Sequence, residues 1–328
     1  MADATADILP IAAVWLAALL LDYGIGDPWG WLHPVQVMGW VIQRYTDAVL
    51  GLKLSPALER LAGVGLTLSL IGGSVAVGWG LHRFAAALHP AIAVITDSVL
   101  LASCLAARSL RDAATDVLTP LDAGELQTAR DRLSRYVGRD TASLSETEVL
   151  RAVLETVSEN ATDGVTAPLF FGLVGMATPL GGVPLALGYK AASTLDSMVG
   201  YKRAPYTHIG WSSAKTEDAL TWIPCRLTVL TVGLLSGRIG EVWQRCGQEA
   251  AEDPSPNAGW SECAYAVALD VQVGGLNSYG GIAIAKPKLG CDRRPITPAV
   301  VQQALQLTRR SMWLWLSVAL MAIAISRI

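Results

Sequence analysis

Charged residues and recognisable catalytic motifs are both scarce in this chain of 328 residues. Only 16% of the residues are charged, whereas 52% are hydrophobic and the mean hydropathy is +0.40. The net charge of −3 and the lack of a basic run with interleaved aromatic residues exclude the usual nucleic-acid surface. The five cysteines have no metal-ligand spacing, which indicates core residues or free thiols rather than a zinc or disulfide framework. A Walker A loop, a GxGxxG fingerprint, an HExxH helix and a GxSxG elbow are also missing.

Hydrophobic runs are what the chain has in quantity, and several approach the roughly 20 residues that a helix needs to cross a bilayer. The clearest run has no charged residue and spans 61–81; the others span 8–21, 84–107, 165–188, 219–237 and 312–325. The run 165–188 is interrupted by glycines and prolines, which favours a broken or re-entrant helix that lines a cavity. The sequence therefore predicts an all-α, polytopic integral membrane protein with about five to six hydrophobic segments.

One long charged segment, 108–160, lies between these runs. Two capping boxes predict soluble helices within it. The box from Asp122 to Glu125 opens a helix that ends at Gly138, and the box from Ser145 to Glu148 opens a second helix. We expect a single membrane domain over 1–328, with 108–160 as a charged helical insert.

The second helix of the insert leads into a stretch, 155–164, that is rich in oxygen-bearing side chains. Glu155 and Glu159 are four residues apart, so a helix places them on one face, and Asp163 follows after another four residues. Carboxylates clustered at the mouth of a membrane segment form a candidate site for a hard cation and phosphate. The alternative is a hydrated helix end in which Arg151 pairs with Glu155. The residues alone leave both interpretations open.

Isolated polar groups near the hydrophobic runs are the other candidates. Asp27 and His33 lie in a loop, where the alternative roles are turn formation for Asp27 and helix capping for His33. Asp97 and Arg226 lie inside apolar runs, so each is expected to face protein, water or a partner rather than lipid, and we favour a structural role for Asp97. Ser255, followed by proline, predicts a helix start whose free N–H groups could bind an anion.

Four motifs that occur in order along the chain resemble one family. They read Leu-Asp-Tyr-Gly-Ile-Gly-Asp-Pro followed by His-Pro-Val, Glu-Thr-Val-Ser-Glu-Asn-Ala-Thr-Asp-Gly, Tyr-Lys-Ala-Ala-Ser-Thr-Leu-Asp-Ser-Met-Val-Gly-Tyr-Lys and Ser-Pro-Asn-Ala-Gly-Trp-Ser-Glu. Over about 21–294, the chain resembles the CbiB or CobD membrane enzymes of cobalamin biosynthesis, the adenosylcobinamide-phosphate synthases.

The resemblance implies a ligase that joins aminopropanol, or its phosphate, to a propionate of the corrinoid adenosylcobyric acid through an amide bond. It also implies ATP as co-substrate and Mg²⁺, because an ionised acid and a protonated amine do not condense unaided in neutral water. The expected location is the bacterial inner membrane, as a multi-pass protein, with the lipid bilayer as a partner and without nucleic acid. A homo-oligomer is compatible with this expectation. The alternatives are a magnesium-dependent membrane phosphotransferase and a transporter of corrinoids or small solutes.

For this chemistry we expect site residues of three groups. The expected magnesium ligands are Glu155, Glu159 and Asp163. The expected catalytic residues are Glu155, Glu159 and three lysines for phosphate groups, Lys190, Lys202 and Lys215. The expected substrate-binding residues are Asp27, His33, Asn160, Ser193, Asp196, Arg226, Ser255, Asn257 and Asn277.

Overall fold

The computed structural model describes residues 2–26 and 33–326, with side chains described for 10–26 and 33–325. In chain order the helices and strands are α1 (Ala2–Gly24), α2 (Pro34–Gly51), α3 (Pro56–Leu88), α4 (Pro90–Ala102), α5 (Ala107–Asp122), α6 (Leu126–Leu133), α7 (Glu146–Asn160), α8 (Ala167–Met176), α9 (Gly182–Val199), α10 (Trp211–Leu235), α11 (Ile239–Glu249), α12 (Ala258–Ala268), β1 (Gln272–Tyr279), β2 (Ile282–Gly290) and α13 (Pro298–Ser326). A π-helical turn, Ala161–Thr166, lies between α7 and α8. The predominance of helix is confirmed.

The chain forms two compact units. The first unit comprises Met1–Ala106, Ala167–Thr221 and Trp315–Ile328, and the second comprises Ala107–Thr166 and Trp222–Leu314. The predicted insert 108–160 therefore lies within the second unit.

Three helical stretches in the described part of the chain are long and apolar enough to cross a membrane. They are Pro56–Leu88, Pro90–Asp122 and Trp211–Leu235, and Pro10–Gly24 is a shorter apolar helix. These stretches support a membrane protein, because apolar helices of that length match the thickness of the hydrocarbon core. The larger count of five to six hydrophobic segments stays a prediction.

From residue 167 onward, the glycine- and proline-rich run 165–188 belongs to a helical hairpin in the first unit, formed by α8 and α9. Its first arm, α8, packs against α9 after a turn at 177–181. The turn requires a glycine, because a Cβ atom on Gly175 would collide with the carbonyl oxygen of Gly181. Farther from the turn, the ring of Phe171 stacks on that of Tyr189 with their centroids 5.0 Å apart. The predicted break is confirmed, and a re-entrant path through the membrane stays a prediction.

The first unit also shows why an acid is tolerated in the apolar run 84–107. The carboxylate of Asp97 on α4 lies 2.9 Å from Nδ1 of His82 on α3. Asp97 therefore faces protein, and its expected structural role is supported because the pair joins two neighbouring helices.

The two predicted capping boxes of the insert have different outcomes. Ser145 and Glu148 form a complete capping box at the start of α7, as predicted. The box at Asp122 is wrong, because Asp122 is the last residue of α5, and α6 ends at Leu133 rather than near Gly138. Leu118 and Leu121 are buried, so packing of the apolar face of α5 extends that helix past the predicted boundary.

The hairpin of β1 and β2 in the second unit is absent from the all-α prediction. The strands pair antiparallel, and Tyr279 lies opposite Ile282. Gly280 and Gly281 form the two-residue turn, with φ values of +59° and +80°. Positive φ at both turn positions is the type I′ geometry that glycine favours, so the Gly-Gly pair was a sequence signal for this hairpin.

Candidate functional site

Glu155 is the centre of a buried ion-pair network in the second unit. Only 2% of its surface is exposed. One carboxylate oxygen accepts a hydrogen bond from Arg139 Nη2, and the other accepts a hydrogen bond of 2.8 Å from the amide of Gly274. Arg151 Nε lies 4.0 Å from the second oxygen. The pairing of Arg151 with Glu155 is thus confirmed, but in a buried setting rather than at a hydrated helix end.

Asn277 belongs to the same network. Its Oδ1 accepts hydrogen bonds from Arg139 Nη1 and Arg151 Nη2, both at 3.1 Å. Arg151 also donates to the backbone carbonyls of Gly274 and Leu276 on β1. These contacts fix the β-hairpin to α7, so the geometry gives Asn277 and Glu155 a structural role. Arg139 lies in a loop and had no periodic signal in the sequence.

A second group of charged residues, Glu159, Glu262 and Lys286, forms what we call the carboxylate–lysine cluster. Glu262 lies on α12 and is 1% exposed, and Lys286 Nζ on β2 lies 3.7 Å from its Oε1. Within the described residues, neither carboxylate oxygen of Glu262 has a hydrogen-bond partner. Sequence reasoning missed Glu262 and Lys286, since they are far apart in the chain and the strand that holds Lys286 was not predicted.

The helices α7 and α12 are held together beside this cluster by small polar side chains. Ser261 Oγ donates to the backbone carbonyl of Ser158 at 2.6 Å and lies 2.8 Å from Thr162 Oγ1. Ser158 and Ser261 directly precede Glu159 and Glu262 in the chain. The packing of the two helices therefore positions the two glutamates.

Burial dominates the electrostatics of the cluster. It raises the pKa of Glu262 well above the usual range, and the nearby Lys286 offsets only part of this effect. Burial likewise raises the pKa of Glu159, which Lys286 lowers and Asp253 and Glu155 raise further. For Lys286 burial acts to lower the pKa, but the charges of Glu262, Glu159 and Asp253 outweigh it and raise the pKa. Perturbed pKa values in one group of side chains are typical of functional sites.

The predicted magnesium ligands are not arranged as a metal site. Glu155 is bonded by Arg139 and Gly274, while Asp163 lies half-buried in the π-helical turn. Across residues 2–26 and 33–326, no group of three or more His, Cys, Asp or Glu side chains could hold a metal ion. The donor set present does not fit Mg²⁺, which requires near-ideal octahedral geometry.

Arg226 is half-buried on α10 and lies between two indole rings. Its guanidinium carbon is 4.9 Å from the ring centroid of Trp222 and 4.3 Å from that of Trp260. Nη1 donates to Asn257 Oδ1 at 2.9 Å. In the part of the chain that the structure describes, no acid forms an ion pair with Arg226. Its partners are aromatic rings and an amide, so the expectation that it faces protein rather than lipid is supported.

The helix start predicted at Ser255 lies farther along the chain. Asn257 is the N-cap residue and α12 begins at Ala258. Ser255 Oγ accepts hydrogen bonds from the amides of Asn257 and Ala258 at 3.2 and 3.1 Å. The prediction of free N–H groups is therefore wrong for these two amides, because the serine already satisfies them.

Asn160 is half-buried and donates to the carbonyl of Thr156 at 2.8 Å.

The predicted lysines belong to the first unit. Lys190 is half-buried on α9, Lys202 is exposed beyond the end of that helix, and Lys215 is exposed on α10, 3.3 Å from an Asp218 oxygen. Ser193 and Asp196 are half-buried on α9. The carboxylate of Asp196 lies against Gly200, where a Cβ atom would collide with it.

Of the two loop candidates, Asp27 and His33, the structure describes only His33. His33 Nδ1 accepts a hydrogen bond of 3.3 Å from the amide of Val35, and His33 is the N-cap of α2. The capping role is thus confirmed, and His33 also lines an apolar cavity of about 580 Å³ in the first unit. Asp27 lies outside the described residues.

Comparison with known proteins gives a consistent result. The profile of the family described as CobD/Cbib protein matches residues 15–308. A relative from Synechocystis sp., named cobalamin biosynthesis protein CobD, is 46% identical over 94% of this chain and 91% of its own length. A CobD relative from Geobacter metallireducens is 45% identical over 87% and 88%, and a Salmonella typhimurium relative named CbiB is 37% identical over 95% and 96%. No solved structure matches this chain.

Proposed function

We infer the function from one premise, that this chain belongs to the CobD/CbiB family of cobalamin biosynthesis proteins. On this premise the protein has a role in cobalamin biosynthesis. We propose that it is the ligase that joins a propionate of adenosylcobyric acid to the amino group of aminopropanol or of its phosphate, with ATP as co-substrate. We place it in the bacterial inner membrane.

The observation that supports this proposal is the carboxylate–lysine cluster. An alkyl amine resembles the lysine side chain, so most of it is protonated in neutral water and cannot attack a carbonyl carbon. A carboxylate whose pKa is raised towards neutrality is a better general base than an ordinary glutamate. Burial raises the pKa of Glu159, and part of the residue is exposed to solvent, so we propose that it reaches a substrate amine. We assign Glu159 the role of accepting the ammonium proton.

The proposed reaction has two steps. A propionate oxygen attacks the γ-phosphorus of ATP and ADP leaves, which gives an acyl phosphate. Glu159 then takes one proton from the ammonium group, and the amine nitrogen attacks the acyl carbon. Inorganic phosphate leaves with one former propionate oxygen and takes up the second proton that the nitrogen loses. Lys190, Lys202 and Lys215 are proposed contacts for phosphate groups. Magnesium accompanies ATP in this proposal and has no assigned protein ligand.

Arg226 is the residue that we propose binds an anionic group of the corrinoid, either a carboxylate or a phosphate. Its half-buried charge has aromatic and amide partners, which leaves guanidinium N–H groups for a substrate anion. Burial between two indole rings strengthens such an interaction because the surroundings are less polar than water.

Replacement of Arg226 by leucine is therefore expected to lower product formation by about 100-fold, as loss of a charged hydrogen bond of about 2.7 kcal/mol would. The amount of protein in the membrane should not fall, since leucine suits an apolar helix. Arg44→Leu is the matched control, because Arg44 lies 5.8 Å from the centroid of the Trp40 ring and is exposed. Normal turnover of Arg226→Leu in a steady-state assay would contradict substrate binding by Arg226. It would indicate that the arginine only extends its charged group to the membrane interface.

The function itself is tested with purified protein in lipid nanodiscs, supplied with adenosylcobyric acid, aminopropanol phosphate and ATP. We expect one amide product per ATP consumed, measured by mass spectrometry and by ADP release. ATP use with a phosphorylated alcohol and without an amide would identify a phosphotransferase. Substrate uptake into proteoliposomes without any chemical product would identify a transporter.

A further inference from the structure

Glu262 is a buried carboxylate whose oxygens could accept more hydrogen bonds than the described residues donate. Its two oxygens can accept about four hydrogen bonds, yet neither has a hydrogen-bond partner in the described residues. Lys286 Nζ at 3.7 Å is beyond hydrogen-bond distance. Buried polar atoms in native proteins are nearly always hydrogen-bonded, so an orphaned pair of oxygens requires an explanation such as a missing ligand.

The charges around Glu262 indicate that such a ligand would be positively charged. Lys286 on β2 is the positive group nearest to it, while Glu159 and Glu155 on α7 and Asp253 before α12 are negative. Glu155 is already neutralised by Arg139 and Arg151. The negative charges of Glu159 and Asp253 raise the pKa of Glu262, so a second positive charge beside Glu262 would stabilise its ionised form.

The geometry favours an ammonium group over a metal ion. Mg²⁺ needs several oxygen ligands at about 2.0–2.1 Å in octahedral geometry, whereas the described residues contain no group of three acidic or other metal-binding side chains placed to hold it. An ammonium group donates three hydrogen bonds with few angular demands, and its donors match orphaned carboxylate oxygens. The cluster is not sealed from solvent on every side, since the side chain of Lys286 is 24% exposed and Glu159 is partly exposed.

We propose that Glu262, within the carboxylate–lysine cluster, binds the primary ammonium group of the amine substrate. This inference rests on the proposed function and adds the position of one substrate. Glu262 holds the ammonium through charged hydrogen bonds, and Glu159 beside it removes the proton before the nitrogen attacks. Lys286 keeps the two glutamates from repelling each other when the site is empty.

Replacement of Glu262 by glutamine tests this assignment, because it keeps the shape of the side chain and removes its charge. We expect the KM for the amine to rise by about 10- to 100-fold, the range expected for one charged hydrogen bond. The KM values for ATP and adenosylcobyric acid should stay within about twofold. Glu252→Gln is the control, since Glu252 is an exposed acid near the same helix start, and its KM for the amine should not change.

A binding measurement separates this inference from the proposed function. In a binding assay with the wild-type protein, propylamine should displace the amino alcohol, whereas propanol should not displace it. If the Glu262→Gln protein does not fold, Glu262→Asp takes its place, with an expected KM for the amine above that of the wild type and competition by propylamine retained but weakened.

Three results would overturn the assignment. The first is an unchanged KM for the amine in Glu262→Gln or in Glu262→Asp, with amide still formed. The second is a lack of competition by propylamine. The third is an increase in thermal stability on addition of Mg²⁺ alone that Glu262→Gln abolishes, because that would identify a metal site. Failure of the wild-type protein to form any amide would instead contradict the proposed function.

Discussion

Replacing Glu159 with glutamine is expected to lower the turnover number by about 100-fold, which corresponds to about 2.7 kcal/mol of transition-state stabilisation. Glutamine has nearly the shape of glutamate but cannot accept the proton of the attacking amine. The size of the side chain is preserved, so the change should leave the amount of folded protein and the KM for ATP close to the wild-type values.

The pH dependence of turnover provides a second readout for Glu159. Burial raises the pKa of this carboxyl, which also faces Lys286, Asp253, Glu155 and Arg139. A general base acts only when deprotonated, so wild-type turnover should rise with pH through this raised pKa and then level off. The rise should be absent in Glu159→Gln. The measurement is a pH profile of steady-state turnover for both proteins.

Glu148 offers the matched control for this experiment. It lies on the same helix, and its carboxylate accepts hydrogen bonds from Ser145 at the helix start. Glu148→Gln should therefore alter stability by less than about 1 kcal/mol and should leave turnover unchanged. A Glu159→Gln protein with wild-type turnover and an unchanged pH profile would end the assignment of Glu159 as the base.

Replacing Glu155 with glutamine is expected to have the largest effect on stability, a loss of about 3 to 5 kcal/mol in the free energy of unfolding of the second unit. The substitution leaves Arg139 and Arg151 close together with their positive charges uncompensated, and Arg139 is almost completely buried. It also weakens the hydrogen bond from the Gly274 amide, which anchors the β-hairpin.

Hydrogen exchange followed by mass spectrometry can measure this loss directly. Amides of 272–290 should exchange faster in Glu155→Gln than in the wild type, because the hairpin loses its attachment to α7. Asp112→Asn is the control, since it removes an exposed partner of Arg108 and should cost less than about 1 kcal/mol. Unchanged protection of the hairpin would show that Glu155 is not its anchor. The double variant Arg139→Met/Glu155→Met should recover part of the loss, because both buried charges are then removed.

Local sequence signals predicted part of the local structure, although the capping box at Asp122 was wrong. The capping box of Ser145 and Glu148 involves residues three apart, and the structure confirms it. The break in the run 165–188 follows from glycines and prolines within that run, and it is confirmed too. The β-hairpin was missed although the pair Gly280–Gly281 signals it, because apolar composition elsewhere in the chain favoured an all-α interpretation.

Long-range pairing is what the sequence could not provide. The spacing of Glu155 and Glu159 suggested one shared site, but the structure gives them different partners. Glu155 pairs with Arg139 and with Gly274, which is 119 residues away, whereas Glu159 is influenced mainly by burial and by Lys286. No periodic pattern in the sequence connects α7 with a residue on β2. The motifs correctly directed attention to this helix, but only the packing shows how the two carboxylates differ.

Tracing the oxygen atoms of the propionate is the most direct measurement of the central claim, ATP-dependent amide formation by this protein. Adenosylcobyric acid that contains isotopically labelled oxygen in the reacting carboxylate is incubated with the protein, ATP and aminopropanol phosphate. The proposal predicts one labelled oxygen in inorganic phosphate for each amide bond formed, with the other oxygen retained in the amide carbonyl. Amide formation without labelled inorganic phosphate, or label transfer without an amide, would contradict it.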